Sequence, residues 1–548
     1  MTCPSCGNET PGLRDGVCPE CWYRSEDRPK PIRDRYAKLE RLREIGVEPF
    51  AYSFDPTHDL GGALGAFESE EAVATVAADA AETDSTAAPD GSPPGVEVDG
   101  IRVAGRILSY RDLGGSAFAH LGDRSGRLQV HLKRNLLGGG SALMDLLDLG
   151  DWVGVEGTVF RTRRGEVTVR VTSLTLLSKT LRPLPFGKEE IDESGERTVH
   201  GGFSDVAQRY RQRYADLAVN PDVREVFRIR ARITTGLRRW LDERGFLEVE
   251  TPVLQPLYGG ALARPFATHH HGLDQEMYLR IADELYLKRL IVGSLDRVYE
   301  IGHDFRNEGI DRTHNPEFTM LELYYAYADY RDVMELTESM VSDVVRDVMG
   351  RTEFEYDGRA VDLSAPWRRM TWSDAFEDAV GLDPRAATDG ELRREVRAGG
   401  REDADELSRV QLLDTLFSDR VEDGIVDPTF IHDHPIAMSP LAKPKRGDPE
   451  LAERFETIVC GFELVNAFSE LNDPIDQWRR LAAQACLRDA GDAEAMVVDE
   501  DYVRALEYGL PPTGGFGMGV DRLVMLVTGQ TSIRDVVLFP MLRPEEGS

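Results

Sequence analysis

Arginine, histidine, glycine and aromatic residues recur in this sequence at spacings that suit a phosphate-rich ligand. The run Tyr299-Glu-Ile-Gly-His-Asp-Phe-Arg-Asn-Glu308 is followed by Arg312, His314, Asn315, Glu317 and Phe318. Arg306 can fork onto one phosphate, His314 can contact another, and Phe318 can stack on a base. Further on, Gly514-Gly-Phe-Gly-Met-Gly-Val-Asp-Arg522 sets glycines at 515, 517 and 519 and places Arg522 just inside a helix. Those glycines let backbone come close to a ligand. Their spacing, GxGxGxxR, is not the dinucleotide pattern GxGxxG. Glu456 and Glu463 lie in two strand-like runs with apolar company, Phe455, Ile458, Val459, Phe462, Leu464 and Val465. Their midpoint falls between residues 459 and 460, so a tight hairpin would set the carboxylates opposite each other. Facing carboxylates call for a cation, and Mg²⁺ is commonly held by one or two carboxylates plus phosphates. The alternative is a solvated acidic surface.

Cysteine supplies a second chemistry. Cys3, Cys6, Cys18 and Cys21 form two CxxC pairs separated by eleven residues. Four thiolates at that spacing suit one tetrahedral zinc ion, with iron in the same sulfur geometry as the alternative and a disulfide pair as the bland reading. Four protein ligands leave no open position, so the knuckle is expected to be structural. Cys460 and Cys486 stand alone and are expected to be packing residues.

Several elements must position these groups. Tyr36, Leu39, Leu42 and Ile45 form one stripe of a helix over 33–45. The segment 61–98 is rich in Ala, Glu, Asp, Ser and Thr and ends near Asp-Gly-Ser-Pro-Pro-Gly; it reads as a solvated or disordered insertion, with a weak helix near Glu68–Ala81. Residues 99–182 hold five strand-like runs with glycine turns, as in a small OB-type barrel that binds oligonucleotides or serves as a structural β-domain. From residue 200 to 548 the pattern is mixed. Helices are expected at 223–244, 285–295 and 520–527, strands at 277–281, 297–301, 317–324, 455–459 and 462–469, and a helical insertion at about 373–425. The cluster Arg244-Gly-Phe-Leu-Glu-Val-Glu-Thr-Pro252 marks a helix ending at a glycine before a strand. The sum is an α+β fold: a knuckle at 1–27, a helix and connection at 28–60, the insertion, the barrel and an antiparallel-sheet catalytic region.

Composition bounds the function. The chain has 548 residues and a formal net charge of −32, and only eight of its 65 basic residues are lysine. No apolar run approaches the ~18 residues of a membrane span, and the N-terminus has no secretory pattern. A membrane protein, a secreted protein and a small basic nucleic-acid module are therefore not expected, and the cytoplasm is. An acidic, lysine-poor chain fits a salt-in halophile, where charge repulsion is screened within about 3 Å at 1 M salt; an ordinary acidic cytosolic protein is the alternative.

The three clusters, at 244–252, 299–318 and 514–522, resemble motifs 1, 2 and 3 of the class II aminoacyl-tRNA synthetases. The chain is most similar to the lysine-specific members, from about residue 33 through 540 apart from the acidic insertion. YRQRYADL, GGALARPFATHH, MYLRIADELYLKRL, FRNEGIDRTHNPEFTMLELYYAYADY, NAFSELNDP and GLPPTGGFGMGVDRLVMLVTG carry the likeness. The resemblance implies ATP, L-lysine and tRNA(Lys) as partners, a lysyl-adenylate intermediate and a homodimer built on motif 1. It implies that Arg306 binds the α-phosphate, Glu308 meets the adenine amino group, Phe318 stacks on adenine, and His314 and Arg522 hold the outer phosphates, with Asn315 beside them. Glu456 and Glu463 would carry Mg²⁺. Gly260, Glu284, Glu322, Tyr324, Asn466, Phe468 and Glu470 would form the lysine pocket, with Glu284, Tyr324 and Glu470 facing the two ammonium groups. In the barrel, Arg111, Phe118 and Gln129 would read the anticodon. The knuckle and the insertion depart from the common plan, and Asn466-Ala-Phe replaces the usual Asn-Gly-Phe, which would tighten the pocket at Ala467. An aspartate- or asparagine-specific enzyme would need a cation for its substrate side chain, against Glu284 and Glu470. A non-ligase paralogue would lack Arg306, Glu456, Glu463 or Arg522, and all four are present.

Overall fold

Alternation of apolar and polar residues closes the first barrel. A computed structural model describes residues 1–80, 95–191, 197–489 and 494–545, in two units divided at residue 202. In the first unit, β1 (Glu97–Asp112), β2 (Ser116–Gly122), β3 (Arg127–Lys133), β4 (Trp152–Arg161) and β5 (Val167–Ser178) close in the order β1-β2-β3-β5-β4. Every second residue of β2 and β3 is buried, so Ala117, Ala119, Leu121, Leu128, Val130 and Leu132 fill the interior. The residues between them face outward.

A short helix, α1 (Pro19–Arg24), leads from the knuckle to α2 (Lys30–Glu44), which buries Ile32, Tyr36, Leu39 and Leu42. Tyr23 stacks on Tyr36 with centroids 5.2 Å apart, and Arg35 donates to the carbonyls of Leu149 and Thr180. The acidic insertion departs from expectation. Its first part is α3 (Leu60–Ala80), which sets Leu60, Ala63 and Phe67 into the barrel core. Glu71 accepts from Arg161 Nε at 2.7 Å. Leu60, Ala63 and Phe67, at i, i+3 and i+7, dock a helix made mostly of small and apolar residues. Residues 81–94 lie outside those described.

The second unit is organised by one eight-stranded sheet. In chain order its strands are β6 (Leu247–Glu248), β7 (Arg297–Phe305), β8 (Glu317–Ala326), β9 (Arg368–Thr371), β10 (Thr429–His432), β11 (Arg454–Val459), β12 (Phe462–Ser469) and β13 (Thr513–Gly519). Their spatial order is β9-β10-β11-β12-β13-β8-β7-β6, antiparallel except at the two edge pairs. One face packs on α4 (Pro221–Asp242), α6 (Tyr330–Met349) and α11 (Val520–Thr528) through Leu237, Leu241, Val341, Val345, Leu523 and Val527. Between α4 and α6 lies α5 (Glu284–Val292). The helical insertion holds α7 (Trp372–Val380), α8 (Asp389–Ala398) and α9 (Arg409–Arg420) around Trp372, which stacks between Phe376 and Phe417. After it, α10 (Glu500–Glu507) precedes β13.

Three expectations fail here. Glu456 does not pair with Glu463: Glu456 opposes Asn466, and Glu463 opposes Ile458, with a register shift between Thr457 and Ile458. The turn is Cys460-Gly461, both at positive φ (50° and 84°), so the hairpin centre sits one residue beyond the midpoint of the glutamates. A two-residue hairpin of that twist normally advertises itself as Asn-Gly or Asp-Gly, and this one does not. Ala467 faces the core opposite Phe516, so it tightens no pocket wall. Among the lone cysteines, Cys460 packs at the turn while Cys486 is exposed rather than packed.

Candidate active site

The period of a strand explains the spaced glycines. In β13, Phe516 and Met518 point into the core, so Gly515, Gly517 and Gly519 point to the opposite face. Gly515 pairs with Tyr324 on one side and Phe468 on the other; Gly517 pairs with Glu322 and Asn466. The glycines thus pave the floor of a cleft of about 390 Å³ walled by β8 and β12. At Gly515 no Cβ fits: it would stand 1.8 Å from Glu470 Oε1 and 2.5 Å from the Tyr324 ring. Close approach, not a special φ, requires glycine there.

One end of the cleft gathers Arg306, Glu308, His314, Asn315, Phe318, Glu463 and Arg522. The Arg306 guanidinium lies 5.1 Å from the Phe318 ring centroid, on the face where a planar base would stack. His314 is exposed and bonded through Nδ1 to Asp311 at 2.9 Å. Asn315 Nδ2 donates to the Glu317 carbonyl at 2.5 Å, which pins the loop. Arg522 Nη1 donates to the Glu463 carbonyl, with Glu463 Oε2 3.7 Å away.

Glu456 does not line the cleft. Its carboxylate is taken by Arg454, and His434 Nε2 lies 3.5 Å away. Burial alone would raise it, but Arg454 and His434 hold the Glu456 carboxyl down to about 2. Burial and the charge of Glu456 push Glu463 up. The two carboxylates therefore feel each other from adjacent strands without being paired partners. Glu422, on the turn after α9, joins them: burial, Glu456 and Glu463 push its carboxyl up to about 7. Sequence reasoning missed Glu422 because it lies 34 residues before Glu456, in the insertion. An anionic group with more carboxylates than cations suits a divalent ion.

The other end gathers Gly260, Glu284, Glu322, Tyr324, Asn466 and Phe468. Gly260 has φ +89°, and a Cβ there would meet Ala282 at 3.0 Å. Tyr324 Oη donates to Glu322 Oε2 at 3.1 Å. Glu470 lies buried on this same face of the sheet, next to Gly515. Sequence reasoning also missed Lys288, whose buried ammonium bridges Glu284 and Glu470. The signal was present: Lys288 follows Glu284 by one helical turn. Beneath the wall, Asp283, Asp304 and Glu322 crowd together, with burial pushing Asp283 up to about 6 and Asp304 well above the carboxylate range.

On the barrel, Arg111, Phe118 and His131 are register partners in one row across β1, β2 and β3. Phe118 stacks on His131 with centroids 4.2 Å apart and planes at 6°. Gln129 Nε2 donates to Glu166 at 2.6 Å. His131 was legible only once the register was known. In the knuckle, the sulfurs of Cys3, Cys6, Cys18 and Cys21 lie within 4.8 Å of one another, all as free thiols. The Cys18 amide donates to Cys3 Sγ at 3.2 Å, and that bond, with the Ser5 and Cys6 amides, brings Cys3 down to about 6. The neighbouring sulfurs and burial push Cys21 up to about 12 and Cys18 up as well, so the four sulfurs crowd one another at a spacing that suits a shared cation.

The sequence is similar to those of known proteins. The family model "tRNA synthetases class II (D, K and N)" matches residues 205–543, and "OB-fold nucleic acid binding domain" matches residues 101–177. The Lysine--tRNA ligase of Moorella thermoacetica is 49% identical over 514 residues, 93% of this chain and 97% of the relative. That of Carboxydothermus hydrogenoformans is 45% identical over 517 residues, covering 94% and 98%. That of Nostoc punctiforme is 47% identical over 523 residues, covering 93% and 87%.

Proposed function

The chain belongs to the class II tRNA synthetases, among the lysine–tRNA ligases, and we propose that the glycine-paved cleft is where it activates lysine. It ligates L-lysine to its cognate tRNA with ATP, through lysyl-adenylate, and releases AMP and pyrophosphate. One observation carries the assignment of the site: an arginine-and-aromatic end and a carboxylate end meet over Gly515, Gly517 and Gly519 on one sheet face.

ATP enters the arginine end. Phe318 stacks on the adenine, Glu308 accepts from its amino group, and His314 and Arg522 hold the outer phosphates. Arg306 leaves its place over Phe318 and binds the α-phosphate. The lysine carboxylate attacks the α-phosphorus and pyrophosphate leaves. A tRNA ribose hydroxyl then attacks the acyl carbon and AMP leaves. No general base is needed in the first step, because a carboxylate is already a nucleophile; positioning and charge stabilisation supply the acceleration. Arg306 counters the negative charge that builds on the five-coordinate phosphorus. Glu284, Glu322, Tyr324 and Glu470 hold the substrate's ammonium groups, with Gly260, Asn466 and Phe468 shaping the wall. Glu456 and Glu463 would hold Mg²⁺, which neutralises phosphate charge when bound. The anionic excess at Glu463 and Glu422 supports that fit.

Arg111, Phe118 and Gln129 read the anticodon on the outer barrel face, supported by the Phe118–His131 stack. Cys3, Cys6, Cys18 and Cys21 would hold a structural zinc ion through their deprotonated sulfurs. Exposed Leu247, Val253, Leu254 and Leu257 after α4 support a homodimer built on that segment. Among the described residues no helix is long and apolar enough to cross a membrane. The charge of −32 supports a cytoplasm rich in salt.

ATP–pyrophosphate exchange across the twenty amino acids tests the assignment. Lysine alone should stimulate exchange. Stimulation by aspartate or asparagine above lysine would overturn it.

A further inference from the structure

Lys288 is fully buried, and its ammonium touches Glu284 Oε1 and Glu470 Oε2. The aromatic rings of Phe468, Tyr324 and Tyr502 surround it at 5.3, 5.9 and 5.9 Å from their centroids. The two carboxylates intended for the substrate's ammonium groups thus already share an ammonium from the protein. An α5 stem fixed at its base and a closed aromatic cage leave that ammonium nowhere to go when substrate arrives.

The geometry points to Lys288 as a specificity-determining residue of the ligase: it cancels one charge of the Glu284–Glu470 pair and leaves that pair a single negative charge to offer lysine. This rests on the assignment of the cleft as the lysine site. Two like charges bridged by one cation in an apolar cage are stable as a trio; without the cation one carboxylate must take a proton. Burial alone would discharge Lys288, but Glu284 and Glu470 hold it well above the usual lysine range. Burial raises both carboxyl groups, and Lys288 is the largest influence opposing that rise in each. Other charged and titratable groups facing the trio are Arg454 on β11, Glu322 and Tyr324 on β8, Tyr502 on α10 and Asp283 at the start of α5. Only Arg454 adds positive charge on Glu284, and it is already committed to Glu456.

The test is Lys288→Met in the full chain, with Lys288→Gln measured beside it. Gln is one atom shorter and still donates hydrogen bonds, so it removes the charge while keeping a polar donor and most of the packing; Met, of the same length as Gln, removes both charge and donor. Steady-state pyrophosphate exchange is followed from about pH 6 to about pH 9, with thermal melting as the folding control. The expected result for both variants is a lysine KM raised about ten-fold or more at neutral pH, an ATP KM within about two-fold, and an acid limb of kcat/KM for lysine displaced upward by about one pH unit or more. Discrimination against norleucine should fall, because a protonated carboxyl no longer demands a cation. A folded Gln variant with the parent's lysine KM and pH profile would overturn the inference, as would lysine and ATP constants rising together. Absence of lysine-dependent exchange in the unsubstituted enzyme would instead strike the site assignment itself.

Discussion

At the scale of single residues, the pocket works by pairing charge inside a low-dielectric cage. Glu284 carries a charge-assisted hydrogen bond to an ammonium, and such bonds contribute about 1.5–3 kcal/mol. Glu284→Gln should raise the lysine KM about ten-fold or more while the ATP KM holds still, because the nucleotide end of the cleft does not touch it. Equal movement of both constants in pyrophosphate exchange would refute the division of the cleft. Glu422 offers a pH-dependent contrast. Burial and its two glutamate neighbours push it up to about 7, against about 4.3 in an unfolded chain. The folded protein therefore keeps a proton that the unfolded chain releases, and stability is lost as pH rises from about 4.3 toward 7. Glu422→Gln removes that loss. In EDTA it should stabilise the enzyme by roughly 1–2 kcal/mol above pH 8, after allowance for partial solvent screening, and by nothing near pH 4. Melting curves at both pH values check the sign.

Elements place these residues through the two-residue period of the strand. Gly515, Gly517 and Gly519 share the cleft face, but their tolerances differ. A Cβ at 515 meets the Glu470 carboxylate and the Tyr324 ring, whereas a Cβ at 517 meets the flexible end of Met320 at 3.3 Å. Gly515→Ala should cost roughly 1–3 kcal/mol by overpacking and reduce lysine-dependent exchange far more than Gly517→Ala. Similar losses in both variants would show that the strand, not the close approach, sets the requirement. The knuckle is a separate element, tied to α2 by the Tyr23–Tyr36 stack within the first unit. Deleting residues 1–27 should remove one tightly bound zinc per chain, read by metal analysis, while adenylate formation persists. A folded deletion that has lost exchange would assign the knuckle more than a structural role.

For the whole molecule, charge decides the working conditions. At −32 the chain repels both RNA and itself at low ionic strength. In molar salt these repulsions are screened within about 3 Å, and counterion release no longer drives RNA binding. Recognition then rests on short-range contacts such as stacking on Phe118, worth about 1–3 kcal/mol per base. Folding and charging should both need salt across a series from about 0.1 to about 3 M KCl, followed by circular dichroism and aminoacylation. Phe118→Ala should lower charging at high salt and leave adenylate formation intact. Full structure and maximal activity at about 0.1 M would sink the halophilic reading and leave the ligase untouched.

Much of this was legible in the residues themselves. Alternating apolar residues between 99 and 178 dictated a five-stranded barrel, since a period of two can bury only one face. Arg306, Phe318, Arg522 and the glycines at 515, 517 and 519 could be picked out as candidates from their types and spacing, and the fold brings them to one cleft. What depended on three dimensions was which groups share a volume. The Cys460-Gly461 turn moved Glu456 out of opposition to Glu463, a one-residue effect set by backbone twist. The docking of α3 turned on which of its apolar residues face the barrel core, Leu60, Ala63 and Phe67. Lys288, Glu470 and Tyr502 lie far apart in the chain, and only the packing of α5 and α10 beside the sheet closes them around one charge. Local pattern determines an element because its cause is local; charge balance in a buried pocket is a sum over neighbours that only the tertiary fold assembles.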